Sequence, residues 1–124
     1  MNSTFTKILK ILLALVLLAF GLNKFIGFLP LPELPENASS FMTSLDATGY
    51  VLPAIGVLEI VIGLMLLLNK WVPFALILLA PISVNIILFH LFLDLPDIGG
   101  ALVITVLNVI LIYKYWKAYK PLFH

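Results

Sequence analysis

The chain contains no cysteine, so it cannot run a dithiol/disulfide relay, and thiolate metal sites are excluded. No other metal-ligating set is evident, and no metal site is expected. Charge is also scarce: charged residues make up 10% of the 124 positions against 63% hydrophobic ones. With a mean hydropathy of +1.20, that composition lies outside the soluble range and is that of an integral membrane protein. The net charge is +1, and no basic cluster is dense enough to track nucleic acid, so no nucleic-acid partner is expected. Flavin, haem and iron-sulfur motifs are absent too, so the chain alone is not a complete redox enzyme and holds no intrinsic cofactor.

What is abundant is apolar sequence in long runs. The pattern predicts an all-α, integral membrane, antiparallel four-helix bundle with spans at about 8–28, 51–68, 71–93 and 98–116, the whole of 1–124 forming a single transmembrane domain. The first run also has the look of a secretory signal peptide, with Lys7 and Lys10 as a basic start and Ala19-Phe20-Gly21 as a cleavage site. Its apolar character continues past that site, which favours a span. Residues 29–50 form one long loop, because Pro30, Pro32 and Pro35 break helix and Glu33, Glu36 and Asp46 need water. Within it, 37–45 reads as a short interfacial helix turning Phe41, Met42 and Leu45 toward lipid or the bundle. Asn69-Lys70 is a tight turn between antiparallel neighbours. Pro81 sits in mid-span, where it should kink the helix and free a carbonyl one turn earlier for a neighbouring polar group. The chain ends in an amphipathic tail of Tyr113, Lys114, Tyr115, Trp116, Lys117, Tyr119 and Lys120, an interfacial anchor.

Lysine placement sets the expected orientation. Lys7, Lys10, Lys70, Lys114, Lys117 and Lys120 fall on one side of the four-span arrangement, while Glu33, Glu36, Asp46, Asp94 and Asp97 fall in the two opposite loops. Positive residues stay in the cytoplasm, so both termini are placed inside a bacterial plasma membrane and the loop 29–50 outside.

A few polar residues interrupt the spans, and each needs a partner. Glu59 and Asn85 lie roughly 12 Å below the outer surface and Asn108 roughly 15 Å, by a rise of ~1.5 Å per residue. Lys24, with Asn23 beside it, lies roughly 6 Å down, and His90 roughly 4 to 5 Å. No comparable group occupies the inner third of any span. Gly56, Glu59 and Gly63 share a helix stripe where small residues permit close approach, and Ala101, Thr105 and Asn108 do the same on the fourth span. Asn85 and His90 are about 140° apart on an ideal helix, so one cavity can hold both only through a wide inward sector or a kink at Pro81.

These residues have bland readings as well. Asn85, Thr105 and Asn108 would serve as interhelical hydrogen-bond glue worth about 0.6 to 2 kcal/mol each. His90 would meet headgroups or the acidic loops, and Lys24 would snorkel outward. Glu59 resists such a reading. An ionised carboxylate at that depth costs ~2.5 to 3.5 kcal/mol, so it should be protonated, paired or wetted, and Lys24 and His90 are the cations at nearby depth.

Four segments in order, Gly21-Leu-Asn-Lys-Phe25, Thr48-Gly-Tyr50, Gly56-Val-Leu-Glu-Ile60 with Gly63, and Val84-Asn-Ile-Ile-Leu-Phe-His90, give the chain a pattern that resembles the DoxX family of small four-helix membrane proteins. Relatives include a membrane subunit of a thiosulfate:quinone oxidoreductase, a component of a mycobacterial oxidative-stress complex and, more distantly, eukaryotic receptor-assembly chaperones. The first of these relatives implies quinone contact. The favoured expectation is an accessory module in the lipid bilayer, whose outward polar pocket, lined by Asn23, Lys24, Glu59, Asn85, His90 and Asn108, binds a lipophilic small molecule such as a quinone or a lipid. Two other functions stay open: a membrane subunit of a quinone-linked oxidoreductase with a redox partner, and an assembly or chaperone protein that contacts other membrane proteins. The pattern suits a monomer or an oligomer equally.

Overall fold

A computed structural model describes residues 4–26 and 34–123. The end of the predicted first span at Phe28, together with Leu29, Pro30, Pro32 and Glu33 of the predicted loop, lies outside the described residues. Every regular element among the described residues is helical. In chain order these are α1 (Thr4–Ile26), α2 (Glu36–Ala47), α3 (Val51–Leu67), α4 (Val72–Leu93), a 3₁₀ turn (Leu95–Asp97), α5 (Gly99–Lys114), α6 (Trp116–Tyr119) and a closing 3₁₀ turn (Lys120–Phe123).

Four of these helices make a ring: α1 packs on α3 and α5, and α4 packs on the same two. The interior is made by Leu13, Ala14 and Leu17 of α1, Ile62 and Leu66 of α3, Val72, Ala75, Leu76 and Leu79 of α4, and Ile104 and Leu111 of α5. The outward faces are equally apolar, with Leu15, Leu58, Ile77 and Val106 all exposed. A water-soluble bundle would turn charged side chains outward, so a bundle apolar on both sides is built for hydrocarbon. The chain is thus an integral, multi-pass membrane protein.

α1 and α4 are each long and apolar enough to cross a bilayer. α3, at 17 residues, and α5, at 16, are shorter, and each meets the requirement together with a bent neighbour: α2 meets α3 at 88°, and the tail from Trp116 meets α5 at 74°. The bend before α3 is built locally. Gly49 takes φ +79°, where a side chain would strain the backbone, and the Thr48 hydroxyl accepts from the amide of Val51 at 3.2 Å, satisfying an open helix-start donor.

All the lysines except Lys24 gather at one end. Lys10 donates to Asn69 in the α3–α4 turn at 2.5 Å, Lys114 lies 5.7 Å from the Phe5 ring centre, and the Tyr119 hydroxyl donates to the Pro73 carbonyl at 2.7 Å. This lysine end joins the start of α1, the α3–α4 turn and the C-terminal tail. The opposite, acidic end carries α2, the C-terminus of α4 and the α4–α5 corner, with Phe41 of α2 against Phe89 of α4 at 5.6 Å between ring centres.

The predicted spans agree with the helices to within a few residues, and the short helix expected at 37–45 is present as α2. The fourth span is shorter than expected, because the chain bends after Lys114. Lys10, read from sequence as a flanking charge, is buried at 8% exposure. Its long stem packs inward while Asn69, held in a left-handed conformation at φ 58°, receives its ammonium.

Candidate functional site

Three separate polar assemblies use the residues singled out from sequence. The first lies between α1 and α3. Glycines bring these helices close enough for their side chains to interlock: a methyl group added at Gly21 would stand 3.0 Å from the Gly56 carbonyl oxygen, and one at Gly63 would stand 3.1 Å from that of Ala14. Gly56 meets the Lys24 stem in the same way. Into this contact Glu59 projects from α3, and the Lys24 ammonium donates to its Oε1 at 2.6 Å. The carboxylate side chain is 1% exposed, whereas that of Lys24 is 27% exposed. Lys24 therefore does not simply snorkel away: it supplies the counter-charge that a carboxylate needs at this depth. Asn23, half-buried, precedes it on the same helix.

The second assembly lies between α4 and α5. Asn108 Nδ2 donates to the Leu76 carbonyl at 3.0 Å, and Ser83 Oγ donates to Asn108 Oδ1 at 3.0 Å. α4 continues as one helix through Pro81. Proline's missing N–H leaves the Ile77 carbonyl without its helical donor, and the carbonyl that Asn108 reaches is the adjacent Leu76. Asn108 is 2% exposed and Ser83 2%, so this is a neutral, buried bridge between helices. Thr105, a turn earlier on α5, has no hydrogen-bond partner for its hydroxyl among the described residues.

The third assembly is at the acidic end. His90 Nδ1 lies 3.1 Å from the backbone oxygen of Asp94 and 3.8 Å from its carboxylate. The His90 ring stands edge-on to Phe89 at 5.1 Å. Asp94 caps the end of α4 and is 1% exposed, with no hydrogen-bond partner for either carboxylate oxygen among the described residues. Burial raises its pKa, the adjacent Asp97 raises it further, and His90 opposes them.

Asn85 belongs to none of the three. It lies on the exposed face of α4, and its Nδ2 donates back to the Pro81 carbonyl at 2.8 Å. The structure thus joins Lys24 to Glu59, joins Asn108 to Ser83, pairs His90 with the end of its own helix and turns Asn85 outward. Glu59 draws its partner from α1 and not from α4, although His90 of α4 was the other cation at nearby depth. Ser83 was not singled out, yet it had a signal: Leu76, Leu79 and Ser83 are spaced three and four apart, one continuous inward stripe.

Grooves on the surface lie elsewhere. One of about 420 Å³ runs between α1 and α5, lined by Leu12, Val16, Leu102, Val103, Val106 and Leu107. Another, of about 380 Å³, is lined by Tyr113, Lys114, Trp116, Lys117 and Lys120. Neither includes any of the six polar residues singled out. Among the described residues no three His, Asp or Glu side chains are placed to hold a metal ion.

A family model described as DoxX matches residues 5–91, from the start of α1 almost to the end of α4, and so takes in Lys24, Glu59, Asn85 and His90 but not Asn108. No curated protein and no solved structure matches the chain. A match over well more than half of the chain, on a multi-pass helical bundle with the four quoted segments in order, means that the protein belongs to the DoxX family.

Proposed function

We propose that this protein is an accessory module of the plasma membrane that holds the polar head of a lipophilic molecule at its acidic end, which faces outward. The observation that carries the reading is the Lys24–Glu59 pair. Its carboxylate is closed off, while its ammonium stays partly open. An ammonium has three donor hydrogens, and one is spent on Glu59. The remaining donors suit a carbonyl or phosphate oxygen arriving from the lipid phase, with Glu59 fixing the amine and able to exchange a proton with the bound head. His90, half-buried at the same end, is a second donor for such a group.

A quinone fits this chemistry, with an apolar ring and tail and carbonyls for Lys24 to meet. A phospholipid would use the same donor through its phosphate or ester. With a quinone bound, the module would serve a partner protein that supplies the electrons, and the lysines at the other end support an outward orientation of the acidic one.

Purified protein in lipid nanodiscs, titrated with a short-chain ubiquinone and separately with phosphatidylglycerol, tests the reading. Binding of one of these, weakened at least tenfold in Lys24→Met and in Glu59→Gln variants that still melt cooperatively, is the expected result. Uptake of neither compound, or equal uptake by the variants, would overturn it.

A further inference from the structure

Asn85 is placed where a membrane protein does not leave a carboxamide unattended. It stands eight residues before the end of α4 at Leu93, roughly 12 Å along the helix at ~1.5 Å per residue. The buried stripe of α4 is Val72, Ala75, Leu76, Leu79 and Ser83, and Asn85 projects roughly 140° away from its centre on an ideal helix. Its neighbours on that outward face are Ile77, Val84, Leu88 and Phe92, all exposed. One amide hydrogen goes to the Pro81 carbonyl. The other hydrogen and the Oδ1 acceptor have no partner among the described residues, and hydrocarbon offers none.

We propose that this face of α4 is the contact between two copies of the protein in the membrane, with Asn85 facing Asn85. A carboxamide is both donor and acceptor. Two of them related by a two-fold axis along the membrane normal satisfy each other reciprocally, the Nδ2 of each donating to the Oδ1 of the other. A second copy is the partner that meets the requirement without further design. Inserted in the same orientation, it brings the same residue to the same depth on the same self-complementary surface. Ile77, Val84 and Leu88 then pack around the amides and exclude lipid. The apolar groove between α1 and α5 has no comparable group, and nothing there specifies what covers it. The contact is independent of the Lys24–Glu59 reading, since it uses the opposite side of α4 from the bundle interior.

The absence of cysteine makes the test clean. In vesicles of phosphatidylethanolamine and phosphatidylglycerol, Leu88→Cys should form a disulfide-linked dimer on mild oxidation, while Leu102→Cys, on the outward face of α5, should not. Single-molecule photobleaching of fluorescently labelled protein should give two-step traces that become one-step on lipid dilution. Asn85→Leu should shift that dilution midpoint roughly tenfold toward monomer, the sum of two membrane hydrogen bonds, while Asn85→Gln should largely retain the dimer. Asn85 is exposed, so the leucine variant should keep its monomer fold, checked by its melting curve. One-step traces at every dilution, equal cross-linking at both cysteine positions, an unchanged midpoint in Asn85→Leu, or capture of a different protein by this face in place of a second copy would each overturn the proposal.

Discussion

The α1–α3 and α4–α5 interfaces both bury polar side chains within the bundle, and they do so with opposite chemistry. Between α1 and α3 the buried group is a carboxylate held by a partly open ammonium. Between α4 and α5 it is an amide whose acceptor and one donor are taken by Ser83 and the Leu76 carbonyl. The neutral bridge is closed on itself and needs nothing more than the two helices it joins. The charged pair retains unspent donors on the side of the amine that is not sealed. Burial alone therefore does not distinguish glue from site. What separates them is whether any hydrogen-bonding capacity is left over and can be reached.

The largest test of this contrast is Lys24→Met, which leaves the Glu59 carboxylate buried without its cation. It should cost about 3 kcal/mol of stability, the low end for breaking a buried pair because Lys24 is partly exposed. The double variant Lys24→Met/Glu59→Leu should recover most of that loss in reversible SDS unfolding; a double variant as unstable as the single one would show that the pair is not the cause. Next comes Gly63→Ala, whose new methyl would press on Leu18 and the Ala14 carbonyl. A loss of about 2 kcal/mol is expected from forcing α1 and α3 apart, with a parallel fall in any ligand binding that depends on Lys24. Asn108→Leu should cost about 1 kcal/mol, through the lost bonds to the Ser83 hydroxyl and the Leu76 carbonyl. It should leave ligand binding unchanged, and a binding defect there would erase the distinction between glue and site.

Smaller effects are expected at the two ends of the bundle. Tyr119→Phe removes the bond to Pro73 and should cost about 0.5 to 1 kcal/mol. Burial, with Tyr115 second, holds the Tyr119 phenol up to about 12 against an ordinary value of 10.0. The folded protein thus keeps this proton more tightly than the unfolded chain, so the contribution is present below pH 10 and lost as the pH rises to about 12. Melting curves across that window should flatten in the phenylalanine variant. Asp94 follows the same sign at the acidic end. Its raised pKa makes the buried carboxyl a stabilising group while protonated and a liability once ionised. Asp94→Asn should raise the melting temperature at neutral pH and leave it nearly unchanged below the ordinary carboxylate value of 3.8.

Much of this molecule was legible before its structure. Apolar runs long enough to span, broken by prolines and acids at one set of turns and flanked by lysines at the other, specify a helical membrane bundle, because in hydrocarbon a continuous apolar run of that length satisfies its own backbone only as a helix. The stripe of Gly56, Glu59 and Gly63 marked a close-packing face for the same local reason: residues three and four apart share a side of a helix whatever surrounds it. The partners were not legible. Glu59 meets Lys24, 35 residues away, Asn108 meets Ser83, 25 residues away, and Asn85 turns from the interior altogether. Those choices depend on which helices are neighbours and how each is rotated about its axis, and a span that is apolar all round records neither. The sequence by itself determined that the chain crosses the membrane and which polar residues must be accounted for. The tertiary structure decided which of them satisfy one another, because that follows from helix rotation and close approach, set by glycines and core side chains acting together across the bundle.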